Sequence, residues 1–277
     1  MHSDRVWWYV FTIAFVATAL AESFLPARNH PSSTPRRWIS NYALLAVSSV
    51  LVLCAFQFSG IALACALKAN SIGVMNRFRI PYALRFAIGF AVLDLAAYLS
   101  HRAFHAVAPL WRIHQVHHSE TDLDLTTGLR FHPAEALFVQ GFFLAVIAVL
   151  GVPPAAVIFA ALAVVIQDFF THANVLIPRS ADRLLRALII TPAMHYQHHS
   201  VNVPDQSTNF GTIFSLWDRV FRTYSAGPQA IGETPRYGLA EISNGSELSA
   251  VGLLVLPFRR GEKRPREIQV DLDCRDS

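Results

Sequence analysis

The 277 residues contain twelve histidines. Eight of them fall in three clusters: His101 and His105; His114, His117 and His118; His195, His198 and His199. His132 and His172 lie in the segments between clusters, and only His2 and His30 stand apart. Imidazole is the commonest metal ligand near neutral pH. Residues at i, i+3 and i+4 share one face of a helix. Each His-x-x-His-His motif therefore presents three rings to one side, and His101 and His105 add two more. Imidazolium groups gathered this way repel one another, and a metal ion relieves that repulsion. Eight to ten histidines exceed one ion's needs, since zinc takes about four ligands and octahedral iron about six. The number points to two ions, each with an open position. Imidazole suits Fe, Zn, Cu and Ni alike, so the residue types leave the metal open.

The elements that must position these rings are apolar. The chain is 53% hydrophobic and 15% charged, with a mean hydropathy of +0.36. Soluble domains carry about 25% charged residues, so this is the composition of a membrane protein. The formal charge of +4 and pI near 9.2 then place Arg and Lys at lipid headgroups and in the cytoplasm, with no nucleic-acid partner. Cys54 and Cys65 lie in one apolar run, about 16 Å apart if helical, which is too far for a bridge. Cys274 lies in a charged tail. There is no disulfide framework, no Cys-x-x-Cys and no Gly-x-Gly dinucleotide fingerprint. If the chain uses reducing equivalents from a nicotinamide, another protein is expected to deliver them.

Along the chain, residues 6–21 predict a retained membrane helix with Trp7, Trp8 and Tyr9 at its start. The signal-peptidase-like Ala19-Leu20-Ala21 sits within it. Residues 26–41 read as a polar linker. Residues 42–67, without a charge, form the strongest span. After a second linker, residues 82–100 predict a third helix with Asp94 inside it. Asp94, Tyr98, His101 and His105 fall at i, i+4, i+7 and i+11, one face of a helix that leaves the membrane still wound. Residues 136–150 and 155–170, joined by Gly151-Val-Pro-Pro154, predict a hairpin dipping into the bilayer from one side. Residues 173–224 are polar and hold the third cluster. Beyond residue 225 the pattern fades, and a mobile, solvated charged tail begins near Arg259. The fold class expected is an all-α integral membrane protein, with about four to five membrane helices and a cytoplasmic helical cap holding a histidine-rich di-metal site. Three regions follow: 1–81 with N-terminal membrane helices, 82–224 as the catalytic domain, and 225–277 as the C-terminal region.

A metal-bound histidine commonly donates its other N–H to a carboxylate or carbonyl. Asp94 and Asp168 are best placed for this, each sharing a helix face with a histidine. Glu135, Asp205 and Asp218 are further candidates, and Tyr98 packs or hydrogen-bonds nearby. Arg102, Arg112 and Arg130 read as contacts for lipid phosphate or an electron donor, or as a solvated face.

The pattern Asp94-x-x-x-Tyr98-x-x-His101-Arg-x-x-His105, Leu110-Trp-Arg-x-His114-x-x-His117-His118-Ser119, Arg130-x-His132-Pro133, His172-x-Asn174 and His195-x-x-His198-His199 resembles the fatty acid hydroxylase / sterol desaturase superfamily. Asn209-Phe-Gly211 and Trp217-Asp218-Arg-x-Phe221 match its downstream signature, and the resemblance covers residues 80–224. One departure is Phe221-Arg222-Thr223, where a glycine is usual before the threonine. The resemblance implies a non-haem di-iron oxygenase that uses O2 and two external electrons to hydroxylate or desaturate a C–H bond of a membrane lipid. It implies iron ligation by His101, His105, His114, His117, His118, His195, His198 and His199. His172 matches a further ligand, and His132 a further family histidine. No catalytic side chain beyond the ligands is expected. The partners implied are a lipid (sterol, fatty acyl chain, alkylglycerol or carotenoid) and an electron donor of ferredoxin or cytochrome b5 type with its reductase. Two other readings start from the histidines alone: a membrane metal transporter or store, and a zinc-dependent lipid hydrolase. Transport requires polar residues inside several spans, where only Asp94 and Asp168 qualify. Arg102, Arg112, Arg130, Arg179, Arg183 and Arg186 favour clusters on the cytoplasmic side.

Overall fold

The computed structural model describes residues 2–29, 34–56, 59–227, 236–239 and 249–259. Regular structure among them is helical, with isolated bridges pairing Pro26 with Val175, Ile189 with Phe214 and Ser200 with Tyr237. Among the described residues, five segments are long and apolar enough to cross a membrane: Val6–Phe24, Pro35–Arg77, Tyr82–Ala106, Pro133–Leu150 and Pro154–His172.

Helix α1 (His2–Phe24) lies against the later helices through Phe11 and Phe15, whose rings meet Phe169 at 5.1 and 5.8 Å. At its end, one oxygen of Glu22 accepts from the backbone N–H groups of Leu125 and Asn174, both at 2.8 Å. Helix α2 (Thr34–Ala55) begins inside the stretch expected to be a linker. The reason is Arg37. Its guanidinium is fully buried and pairs with Glu120 at 3.2 Å and Asp124 at 2.5 Å. Arg130, also fully buried, pairs with Glu120 at 3.2 Å and donates to Asn41, Ser119 and the Val116 carbonyl. Arg130 therefore meets neither solvent nor a lipid phosphate. Buried charges persist only when paired and hydrogen-bonded, and this network clamps the head of α2 to the cap.

The single span expected over residues 42–67 is two helices. After Ala55 the chain restarts as α3 (Gly60–Ala69), capped by Ser59 Oγ, which accepts from the Ala62 N–H at 3.2 Å. A serine at this position supplies an acceptor to a first turn that has none of its own. The single-turn α4 (Val74–Arg77) follows. Helix α5 (Tyr82–Ala106) runs unbroken from the apolar region through His101 and His105. The cap begins with α6 (Ala108–His118) and a 3₁₀ turn at Leu125–Leu129. Helices α7 (Pro133–Leu150) and α8 (Pro154–His172) form the expected hairpin. The chain then returns to the cap as α9 (Arg179–Leu185), α10 (Pro192–His198), α11 (Val203–Gln206) and α12 (Leu216–Val220).

Below the cap, Ala64, Leu67, Leu93, Ile147, Ala156, Val157 and Ala160 join α3, α5, α7 and α8 in one core. Small residues let helix backbones approach closely where lipid supplies no hydrophobic drive. Residues 249–259 pack against the cap, which the fading sequence pattern does not announce. Helix α13 (Ala250–Val255) places Leu253 beside Leu44 and Val116, and Leu256 in the following turn joins them. Gln115 and Arg112 donate to the carbonyls of Leu256 and Arg259. The charged tail from residue 260 lies outside the described residues.

At the end of the bundle far from the cap, Gly73 (φ 95°) and Gly151 (φ 68°) touch backbone to backbone. A Cβ on Gly73 would stand 2.5 Å from the Gly151 backbone. Gly73→Ala is expected to destabilise the chain by about 1–3 kcal/mol, from the clash and the left-handed φ together. Gly141 lies mid-helix, and its Cβ would meet Phe56 at an ordinary 3.4 Å. Gly141→Ala should leave stability unchanged or raise it by roughly 0.5–1 kcal/mol. Thermal unfolding in detergent separates the two.

Candidate metal centre

Nine histidines converge in the cap and divide into two groups. His101, His105, His114, His118 and His198 form one, and His117, His172, His195 and His199 form the other. Within each group the ligand atoms lie within 4.8 Å of one another. Neither His-x-x-His-His motif stays on one side of the division. Helix α6 gives His114 and His118 to the first group and His117 to the second. Helix α10 gives His198 to the first and His195 to the second, and His199, at its C-terminal cap, joins the second. The groups abut, with the rings of His118 and His199 stacked at 4.4 Å.

Ring orientation is set from behind. The Nδ1 of His101 donates to the Phe210 carbonyl at 2.9 Å, and that of His198 to the Thr208 carbonyl at 2.8 Å. The Nδ1 of His172 donates to the Asp168 carbonyl at 2.7 Å. A carbonyl oxygen can only accept, so each of these rings carries its proton on Nδ1 and turns the Nε2 lone pair inward. The Nδ1 of His114 meets the Glu135 carboxylate at 2.7 Å, leaving His114 Nε2 buried without a partner.

The inward nitrogens crowd. Nε2 separations are 3.2 Å for His117 and His172, 2.8 Å for His172 and His195, and 3.1 Å for His195 and His199. His101 and His198 approach to 3.0 Å. Nitrogen ligands about 2.0–2.1 Å from one ion stand roughly 2.9–3.4 Å apart around an octahedron or tetrahedron. The Nε2 atoms of His105, His114 and His118 are also buried with no hydrogen-bond partner. Buried polar atoms left without a partner are rare in native proteins, and a metal ion bound by this group would satisfy these three.

Burial, and then the neighbouring imidazoles, hold His117, His118, His195 and His199 well below the ordinary imidazole value of 6.5. Burial pushes His198 down to about 3 against the opposing pull of the Thr208 carbonyl. The rings are neutral at physiological pH, the form that binds metal.

Of the carboxylates expected behind the histidines, Glu135 takes that place at His114 and the others do not. Asp94 reaches no histidine. It accepts from the Ile213 and Phe214 N–H groups at 3.1 and 3.3 Å and from Trp217 Nε1 at 2.8 Å. Asp218 accepts from the N–H groups of Phe210 and Gly211 at 2.8 and 2.9 Å and from Thr223 Oγ1 at 2.6 Å. Together they hold the loop whose Phe210 carbonyl orients His101. Tyr98 bonds Thr223 Oγ1 at 2.9 Å and stacks on Phe221 at 5.2 Å. Asp205 bonds Gln197 and Asn202. Asp168 uses its carbonyl rather than its carboxyl, and the residue lines a cavity. His132 joins neither group. Its Nδ1 accepts from the Ala134 N–H at 3.1 Å, capping α7, and its Nε2 donates to the Leu254 carbonyl at 3.2 Å. Both its nitrogens are committed to structure.

A cavity of about 490 Å³ opens beneath the histidines. His101, His114, His117, His172 and His195 form its head, and Ala97, Phe104, Val139, Phe143 and Val164 are among its walls. Its size and apolar lining suit a small-molecule site.

The model of the fatty acid hydroxylase family matches residues 86–223. An ornithine lipid hydroxylase of Rhizobium tropici is 28% identical over 149 residues, 54% of this chain and 44% of the relative. An alkylglycerol monooxygenase of Caenorhabditis elegans is 27% identical over 251 residues, 86% of this chain and 44% of the relative. The human alkylglycerol monooxygenase is 28% identical over 155 residues, 56% of this chain and 33% of the relative. The chain spans less than half the length of these curated relatives. No solved structure matches it.

Two outcomes follow from the geometry. Histidines with depressed pKa bind protons only after unfolding, so the metal-free protein loses stability as pH falls below 6.5. Its thermal midpoint is expected to be flat with respect to these groups above that value and to drop below it, as measured in detergent across pH 5–8. Asp94→Ala frees the loop behind His101 and is expected to lower metal affinity about 10-fold or more. Asp205→Ala is expected to leave it unchanged. Elemental analysis of purified protein against a competing chelator distinguishes them.

Proposed function

The chain belongs to the fatty acid hydroxylase / sterol desaturase superfamily, and on that premise we propose that it is an O2-dependent di-iron enzyme that hydroxylates a C–H bond of a membrane lipid. The observation that carries the proposal is the pair of buried histidine groups at the head of an apolar cavity between membrane-length helices. His101, His105, His114, His118 and His198 would hold one iron, and His117, His172, His195 and His199 the other. Bound there, iron supplies the activation of O2 and the oxidation of an unactivated C–H bond. The chain's residues do the rest. Phe104, Val139, Phe143 and Val164 hold an alkyl chain and exclude water, which protects the reacting centre from side reactions. The Phe210, Thr208 and Asp168 carbonyls and the Glu135 carboxylate keep four rings in the metal-binding tautomer.

The names of the relatives favour hydroxylation over desaturation. We assign catalysis to residues 82–224, with 1–81 and 225–277 flanking. Electrons come from a separate donor of ferredoxin or cytochrome b5 type, since the chain has no dinucleotide-binding fingerprint of its own. We place the cap in the cytoplasm, where such donors work. A transporter reading is disfavoured because Asp94, one of its two intramembrane carboxylates, is used to hold the 213–217 loop.

Protein loaded anaerobically with iron and then given O2, reductant and membrane lipid is expected to add one oxygen to a lipid, detected by mass spectrometry. His118→Ala and His199→Ala, one from each group, should each lower turnover more than about 100-fold, beyond the ~10–100-fold typical of losing only a ligand's hydrogen-bond partner. A single tightly held zinc with hydrolysed rather than oxidised lipid would overturn the proposal.

A further inference from the structure

Two polar side chains in the cavity are left alone by the rest of the protein. Asp168 on α8 and Gln140 on α7 line the same space. Among the described residues, neither the Asp168 carboxyl nor the Gln140 amide has a hydrogen bond or ion pair. Ser100 donates to the Ala97 carbonyl and Thr171 to the Gln167 carbonyl, both at 2.9 Å, and Glu135 takes His114 with one oxygen while its second oxygen is buried without a partner. At the helical rise, Asp168 stands about 6 Å from His172 along α8, toward the apolar core. A carboxyl and an amide among apolar walls, with no partner in the protein, are free to bond a ligand's polar group.

We propose that Asp168 and Gln140 form a subsite for a substrate hydroxyl, so that the lipid oxidised here carries a hydroxyl about one helical turn from the carbon presented to the histidines. The inference rests on the lipid-hydroxylase reading of the site. The chemistry of the pair selects the ligand. A carboxylate only accepts, and an amide both donates and accepts. A hydroxyl donates to the first and accepts from the second. An ammonium group only donates and leaves the Gln140 N–H groups unmatched. A bare hydrocarbon or polyene leaves both side chains unmatched. Sites built to bond a substrate hydroxyl reject analogues that lack it, because the protein's buried polar groups are then left unpaired.

The test uses the full-length, iron-loaded chain in lipid nanodiscs. The probes are 1-O-hexadecylglycerol, its di-O-methyl ether, and hexadecylamine. The wild type is expected to prefer the free-hydroxyl lipid over the ether by about 10-fold or more in kcat/KM. Asp168→Leu and Gln140→Leu should each abolish the preference for the hydroxyl lipid over the ether, with metal content measured as the control. Metal content is a fair control because His172 is held by the Asp168 carbonyl, which the substitution keeps. Equal loss on both lipids in Asp168→Leu, equal rates in the wild type, or a preference for hexadecylamine would overturn the subsite. Oxidation of none of the probes would instead count against the hydroxylase reading. Retention of each probe by the purified protein, read by native mass spectrometry, then decides the subsite. Selective retention of the hydroxyl lipid, lost in Asp168→Leu, supports it, and equal retention of hydroxyl lipid and ether overturns it.

Discussion

The structure depends on burying nine imidazoles against one another. Water would stabilise each ring's charge, and the packed cap withholds it. Burial is the first cause of the depressed pKa in every cap histidine where a shift is resolved, with the neighbouring rings adding to it. Neutral rings then each present one nitrogen as a donor and one as a lone pair. A fixed acceptor behind a ring decides which nitrogen faces the centre. Four rings have such an acceptor, and their inward nitrogens close to metal-ligand spacing.

Holding those acceptors in place explains much of the remaining architecture. Asp94, deep in a membrane-length helix, takes three donors from the 213–217 segment. Asp218 takes three more from the same part of the chain. The loop between them must turn tightly, and Asn209 and Arg222 adopt left-handed φ values of 56° and 58°. Asparagine tolerates that region, and arginine does so at a cost of roughly 1–2 kcal/mol. Gly128 serves the other flank. A side chain there would stand 3.1 Å from the Asp168 carbonyl and 3.3 Å from His172 Nδ1, breaking into the bond that orients that ring.

The N-terminal helices belong to this arrangement rather than standing apart as anchors. Glu22 binds the backbone on both sides of the site, at Leu125 and Asn174. Arg37 closes a buried ion network with Glu120, Asp124 and Arg130 immediately after the second histidine cluster. Breaking a buried pair by removing one partner leaves an uncompensated charge, so these contacts couple membrane helices to the cap strongly. The same helices supply Trp7 and Val52 to the cavity. The cavity therefore joins residues of the N-terminal helices to the histidines of the cap.

The sequence by itself determined the chemistry and the order of elements. Histidine spacing specifies which rings share a helix face, and long uncharged runs specify where helices cross lipid; both are local properties of the chain. That is why α5 and the α7–α8 hairpin could be anticipated. The tertiary structure alone decided how the rings are shared. Each His-x-x-His-His motif divides between two groups, because adjacent positions on a helix diverge by about 100° and meet different neighbours. It also decided what orients them. Three of the four acceptors are backbone carbonyls, which every residue carries and no residue type announces. His132, matching in type and motif, was removed from the centre by nothing more than its position as a helix cap. Asp168 shares a face with His172, yet only folding could show that its carbonyl serves the histidine and that the residue lines the cavity.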